Sequence, residues 1–206
     1  MKKDPVVYVV DDEPAVCDSL NSLIGTYGFA VESFASGGDL LERVESGSTG
    51  CVVADVRMPG ISGIDLQREL SRRGVPLPVV IITGHGDVPM AVESLKAGAV
   101  DFIEKPIDDD RLVKSIRMAI DRDRTAREQG EETQRVAERA GTLTQREGQV
   151  MDLIVVGYSN NAIAEKLGIS ARTVEHYRAN IMQKMQAASL AQLVRMTIRL
   201  GRPAEA

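Results

Sequence analysis

Through the first 120 residues, short β-branched runs alternate with amphipathic stretches, the pattern of βα units wound onto a parallel sheet. Five runs read as strands: Val6 to Val10, Ala30 to Phe34, Cys51 to Asp55, Val79 to Thr83 and Val100 to Glu104. Several are apolar throughout, as strands covered on both faces must be. Between them the apolar spacing turns helical. Val16, Leu20, Leu23 and Ile24 share one stripe, Leu112, Ile116 and Ala119 another, and Pro14 stands where a first-turn proline is tolerated. The pattern predicts a five-stranded, doubly wound parallel α/β domain over residues 1–120.

From about Asp121 to Ala140 the chain is rich in Glu and Arg, with hardly an apolar side chain to bury. That composition predicts a semi-rigid, partly helical spacer, with Gly130 as its expected interruption. Beyond it the spacing stays helical to Leu200, so residues 141–206 are expected to form a second, smaller all-α domain. Thr144 with Glu147 makes a capping box, and Gly157 suits the end of the helix it opens. Asn160 to Leu167 reads as a second short helix, Gly168 as a tight turn, and Ser170 as the cap of a third helix running to about Gln186. This is helix-turn-helix architecture. At about 100° per residue, Val174, Tyr177, Ile181 and Met185 fall on the buried side of the third helix. Arg172, Glu175, His176, Ala179 and Gln183 occupy the other side, where side chains can meet base edges in a major groove.

Composition adds limits. A chain of 206 residues suits two domains, and it has no run of about 18 apolar residues. The start Met1-Lys2-Lys3-Asp4-Pro5 meets a strand rather than a signal-peptide core, so a cytoplasmic chain without a membrane segment is expected. Cys17 and Cys51 lie in apolar segments and read as reduced core residues. Of the 25 basic and 30 acidic residues, eight and five fall in 141–206, a net of +3 against −8 upstream. An acidic front half with a mildly basic tail points toward nucleic acid for the tail, although a solvated helical face would give the same balance.

The strand ends carry the chemistry. In a parallel α/β sheet, residues that end different strands converge beyond the carboxyl edge. Here the first strand ends in Asp11-Asp12-Glu13, the third in Asp55, the fourth in Thr83 and the fifth at Lys105. Carboxylates gathered in one cleft repel each other unless a hard cation sits among them, and Mg²⁺ is the expected cofactor, since it takes few carboxylates and leaves positions for phosphate oxygens. A hydroxyl at Thr83 and an ammonium at Lys105 suit the remaining oxygens of a phosphoryl group, so the pocket is built for in-line phosphoryl transfer. Plainer readings exist for single residues. Asp11 and Asp12 also suit a cap for the helix near Pro14, Thr83 a structural cap, Phe102 ordinary core, and His85 a loop or surface position.

These strings resemble a known family. Val10-Asp11-Asp12-Glu13, Asp55-Val56-Arg57-Met58-Pro59-Gly60, Ile82-Thr83-Gly84-His85-Gly86-Asp87 and Phe102-Ile103-Glu104-Lys105-Pro106 resemble a two-component receiver domain over nearly all of residues 5–120. The resemblance implies Asp55 as phosphoacceptor, Asp12 and the Arg57 carbonyl as Mg²⁺ ligands, and Asp11 holding the ion through water. It also implies Thr83 as switch hydroxyl, Phe102 as switch aromatic, Lys105 as phosphate-binding lysine, and a cis Lys105–Pro106 bond. Residues 143–199 resemble the LuxR-type effector domain through Leu143-Thr144-Gln145-Arg146-Glu147, Asn160 to Ser170 and Arg172 to Arg178, and the whole is similar to FixJ-type regulators. One departure stands out: many members carry histidine where this chain has Tyr177, and a small apolar residue where it has His176.

The resemblance implies a histidine kinase as partner and promoter DNA as target, with RNA polymerase a further candidate. It suggests an oxygen- or redox-linked input and gene activation. Candidate DNA contacts are Asn160, Ser170, Arg172, Thr173, Glu175, His176, Arg178 and Lys184. Of these, Arg178 and Lys184 suit phosphates and Arg172 either phosphate or base, while Thr173 suits a backbone contact or a helix cap. Two routes to the switch stay open: unmasking of the recognition helix from its receiver, or a homodimer formed on phosphorylation, expected to use Val88, Met90, Ala91, Val92, Leu95 and Lys96, some of which must face the core. Two other classes compete: a Mg²⁺-dependent phosphatase or phosphotransferase using Asp55 as nucleophile, and a DNA binder indifferent to phosphate. No insertion between strands is long enough for the lid such an enzyme needs, and the intact set of Asp12, Asp55, Thr83 and Lys105 argues against the second.

Overall fold

The computed structural model of the chain describes residues 4–84 and 87–201. His85 and the first three residues, which entered the reading above, lie outside the described residues. Strands β1 (Val6–Val10), β2 (Ala30–Phe34), β3 (Gly50–Asp55), β4 (Val79–Thr83) and β5 (Asp101–Glu104) form a parallel sheet in the order β2-β1-β3-β4-β5. Around it lie α1 (Pro14–Thr26), α2 (Gly37–Arg43), α3 (Gly63–Arg72), α4 (Val88–Lys96) and α5 (Asp109–Gly141). Registers Val6↔Gly50, Val10↔Ala54 and Asp55↔Ile82 bring the carboxyl ends of β1, β3 and β4 to one edge. Two strand ends differ from expectation by one residue, Gly50 joining β3 and Val100 falling outside β5, an ordinary boundary shift.

Strand side chains alternate between two cores, as the pleat requires. Tyr8, Val52, Ala54 and Ile81 pack with Leu40, Leu66 and Leu70 of α2 and α3. Val7, Val9, Val53, Val80 and Ile82 pack on the other face with Leu20 and Ile24 of α1 and Leu112 and Ile116 of α5. Helix α4 is different. Ser94 is its one fully buried residue among those described, while Val88, Val92 and Leu95 are exposed.

The charged stretch departs from the expectation of a separate spacer. It is helical throughout, within α5, and is not interrupted at Gly130. The chain divides into two compact units between Arg127 and Glu128, and each side of the stretch belongs to one of them. Asp123 is buried in the first unit, and Val136 is wholly buried in the core of the second. Charge density alone hid this, because one buried carboxylate and one buried valine seat a helix most of whose other side chains are exposed.

The second unit contains the end of α5 followed by α6 (Gln145–Val156), α7 (Asn160–Leu167), α8 (Ala171–Met185) and α9 (Leu190–Arg199). Its core gathers Val136, Val150, Met151, Ile154, Ile163, Val174, Ile181, Met185, Leu193 and Met196. The capping box of Thr144 and Glu147 is present, Ser159, Ser170 and Ser189 cap α7, α8 and α9, and Gly157 and Gly168 close α6 and α7 in the left-handed region.

Candidate functional site

The acidic pocket forms where β1, β3 and β5 end. Asp11 is 1% exposed, Asp55 7% and Thr83 1%, whereas Asp12 faces solvent. The Lys105 ammonium stands 2.9 Å from Asp11 Oδ2 and 2.9 Å from Asp55 Oδ1, so one cation bridges the first and third strand ends. The other carboxylate oxygens accept backbone N–H groups, Asp55 Oδ2 from Arg57 at 2.6 Å and Asp11 Oδ1 from Glu13 at 3.0 Å. Burial works against the charged Lys105, but the hydrogen bonds and charges of Asp11 and Asp55 outweigh it and hold its pKa above the ordinary lysine value. The Lys105–Pro106 bond is cis, and the Lys105 N–H donates to the Thr83 carbonyl at 2.7 Å. Gly63 begins α3 so near this strand end that a Cβ there would lie 2.3 Å from the Asp55 carbonyl oxygen. The sequence therefore places α3 directly against the pocket.

Two buried carboxylates, Asp11 and Asp55, share one ammonium, with the exposed Asp12 next in sequence, so acidic groups outnumber the cation. The pocket's donors are all oxygen. That set fits a hard divalent cation. Among the described residues no three His, Cys, Asp or Glu side chains already converge as a metal cage, but Mg²⁺ takes one or two carboxylates and completes its shell with water.

Phe102 is half-buried on β5. Its backbone is gripped on both sides: its N–H donates to Asp101 Oδ1 at 2.8 Å, and its carbonyl accepts from Arg111 Nη2 at 2.8 Å. Asp101 also accepts from Ser115 at 2.6 Å and pairs with Arg111 at 3.1 Å. Burial raises the Asp101 carboxyl, but Arg111, Ser115 and the Phe102 N–H together outweigh it and hold it below the usual carboxylate value. Asp101 and Arg111 were not anticipated, since their spacing across a loop carries no periodic signal. Of the residues expected on a dimer face, Val88, Val92, Leu95 and Lys96 are exposed, whereas Ala91 is half-buried and Met90 packs onto the core.

On the second unit, α8 presents Arg172, Glu175, His176, Ala179 and Gln183 to solvent, while Val174, Ile181 and Met185 are buried and Tyr177 packs half-buried beside them. Several other candidates are tied internally. Ser170 accepts from the Thr173 N–H at 3.0 Å and lies 2.8 Å from the Thr173 hydroxyl. Arg178 donates to Asn160 Oδ1 at 3.1 Å, joining α8 to the start of α7. Lys184, a candidate for phosphate contact, pairs with buried Glu147 at 2.6 Å and donates to the Thr142 carbonyl at 3.3 Å. Asn180, which the sequence did not single out, lies 3.3 Å from the His176 ring nitrogen.

Comparison with known proteins agrees with both halves. Residues 7–117 match the response regulator receiver domain family, and residues 141–197 match the luxR family of bacterial regulatory proteins. The transcriptional regulatory protein FixJ of Bradyrhizobium diazoefficiens is 48% identical over 195 residues, covering 95% of each chain. The response regulator protein TodT of Pseudomonas putida is 42% identical, over 95% of this chain and 86% of its own. Among solved structures, the response regulator StyR is 40% identical with a TM-score of 0.83, over 96% of this chain and 100% of its own. Full-length FixJ from B. japonicum is 47% identical with a TM-score of 0.58, over 97% and 98%.

Proposed function

The chain belongs to the FixJ-like two-component response regulators, a receiver domain joined to a LuxR-type DNA-binding domain, and from that premise we propose that Asp55 accepts a phosphoryl group from a histidine kinase. The observation that carries this reading is the single ammonium of Lys105 held between Asp11 and Asp55 at 2.9 Å each, in a pocket where carboxylates outnumber cations. A carboxylate oxygen of Asp55 attacks phosphorus in line; the new P–O bond forms as the P–N bond to the donor imidazole breaks, and the imidazole leaves with the electron pair. Lys105 turns from Asp55 to a phosphoryl oxygen, a short excursion for an ammonium on a flexible stem. Thr83 donates its hydroxyl to another, and Phe102 moves inward behind it. Asp12, Asp55 and the Arg57 carbonyl would hold Mg²⁺, with Asp11 reaching it through water, and the bound ion would neutralise charge developing on the phosphoryl oxygens.

The phosphorylated chain dimerises through the α4 face, where Val88, Val92 and Leu95 are exposed. The paired α8 helices bind half-sites in promoter DNA, reading bases through Arg172, Glu175 and His176, and RNA polymerase is a further candidate partner. Pairing matters because a domain of small net charge binds DNA weakly alone. The protein acts in the cytoplasm, turns over no independent substrate, and activates transcription. The test is solution mass and gel-shift affinity before and after acetyl phosphate with Mg²⁺. The reading predicts a doubled mass and tighter DNA binding, neither of which occurs in Asp55→Asn. Phosphate-dependent dimerisation of Asp55→Asn would remove Asp55 as acceptor, and a phosphorylated wild type that stays monomeric would remove the dimer.

A further inference from the structure

At the opposite edge of the sheet from the acidic pocket lies another buried carboxylate. Asp123 of α5 is 4% exposed. Its Oδ2 accepts the Gly50 N–H at the start of β3 at 3.0 Å, and its Oδ1 pairs with Arg127 Nε, one turn further along the helix, at 2.7 Å. The other guanidinium nitrogens of Arg127 donate to the carbonyls of Ser46, at 3.4 Å, and Ser48. Ser48 is itself buried, and its hydroxyl accepts the Glu45 N–H at 3.0 Å. One planar fork thus closes the loop between α2 and β3 onto α5.

The chain is tightly constrained where Asp123 docks. Gly50 has φ +120°, and a Cβ there would sit 1.9 Å from the Val6 carbonyl oxygen. Glycine alone lets β3 pass this close to β1 while turning its N–H toward α5. The rest of this stretch of α5 contributes little. Asp121, Arg122, Arg124, Thr125 and Ala126 are exposed, and beyond the Asp123–Arg127 pair this turn reaches the first unit through a 3.4 Å contact from Arg122 to the Gly98 carbonyl. A helical turn without apolar burial depends on such polar contacts for its persistence. The first compact unit also ends at Arg127.

We propose that Asp123 and Arg127 form a clasp that makes residues 121–127 part of the receiver and fixes the start of the helical segment through which the receiver's state reaches the DNA-binding unit. They are positioning residues. The clasp follows from the geometry alone; its role in transmission rests on the function proposed above.

The experiment is hydrogen exchange on the full chain, with phosphorylation and DNA affinity measured on the same samples. In Asp123→Ala, amides of 121–130 should exchange about tenfold faster as a contiguous block while the β-sheet keeps its protection. Phosphorylation by acetyl phosphate should keep its rate, and the gain in DNA affinity on phosphorylation should fall about tenfold. Arg127→Met, which leaves Asp123 bonded to Gly50, should show the same pattern more weakly and serves if Asp123→Ala does not fold. Unchanged exchange in both variants would overturn the clasp. Faster exchange with an unchanged gain would overturn its role in transmission. A wild type that gains no DNA affinity on phosphorylation would instead overturn the proposed function, with the exchange result still deciding the clasp.

Discussion

The two ends of the receiver sheet each bury an acid against a base, and they do so to nearly the same depth. The Lys105 and Arg127 side chains are both 22% exposed, and those of Asp55 and Asp123 are 9% and 5%. Depth therefore does not distinguish a reactive pocket from a structural clasp. Valence and geometry do. At the carboxyl edge one rotatable ammonium serves two buried carboxylates, with Asp12 adjacent, so charge is left over for a cation or a phosphoryl group. At the other edge one carboxylate meets one guanidinium, whose Nη1 and Nη2 donate to the Ser46 and Ser48 carbonyls. A charge-balanced pair leaves no net charge for a ligand; an unbalanced one held by a lysine does.

Substitutions at the two bases should separate these roles most sharply. Lys105→Met should slow phosphorylation by acetyl phosphate on the order of 100-fold, the scale expected when a preorganised charge is withdrawn from a reacting anion. Arg127→Met should leave that rate unchanged, and time-resolved intact mass compares the two. Stability should respond in the opposite order. Asp123→Ala leaves Arg127 without its carboxylate and should cost about 2–3 kcal/mol in a urea unfolding curve, toward the lower end for a buried pair because the arginine is partly exposed. Asp12→Asn removes a repelling charge and should cost nothing.

Metal should distinguish the two ends as well. At about ten times its dissociation constant, Mg²⁺ should stabilise the wild type by about 1.4 kcal/mol through linkage. It should stabilise Arg127→Met equally and Asp12→Asn much less, read from thermal unfolding with and without EDTA.

A third buried pair, Glu147 with Lys184, gives the smallest effect and extends the comparison to the DNA-binding unit. Lys184, with the Thr144 hydrogen bonds, holds the Glu147 carboxyl below its ordinary value of 4.5. A depressed pKa stabilises the fold above the unfolded value, and that contribution is lost as pH falls through the folded one. Glu147→Gln should therefore cost about 1 kcal/mol at pH 7, with the deficit shrinking as the pH drops below 4.5. A deficit independent of pH would assign the effect to packing instead.

The same contrast explains what could be read from the chain alone. Asp11, Asp55, Thr83 and Lys105 were legible because each ends a strand, and a parallel sheet brings strand ends together whatever lies between them. Thr144, Ser170 and Gly168 were legible because caps and turns are local. Asp123 was not. In a run of Glu and Arg it reads as solvated, and its partner Gly50 lies 73 residues away in sequence. The partner of Lys184 was hidden for the same reason, since Glu147 lies 37 residues earlier. Val136 shows the limit for apolar residues, since one valine among charges has no periodicity to announce the core it joins.

The most direct measurement is peptide mapping of the full chain after acetyl phosphate and Mg²⁺, with borohydride reduction to trap an acyl phosphate. A single phosphoryl group is expected, carried by Asp55 and absent from Asp55→Asn. An unmodified protein, or a phosphate found on any other residue, would contradict it.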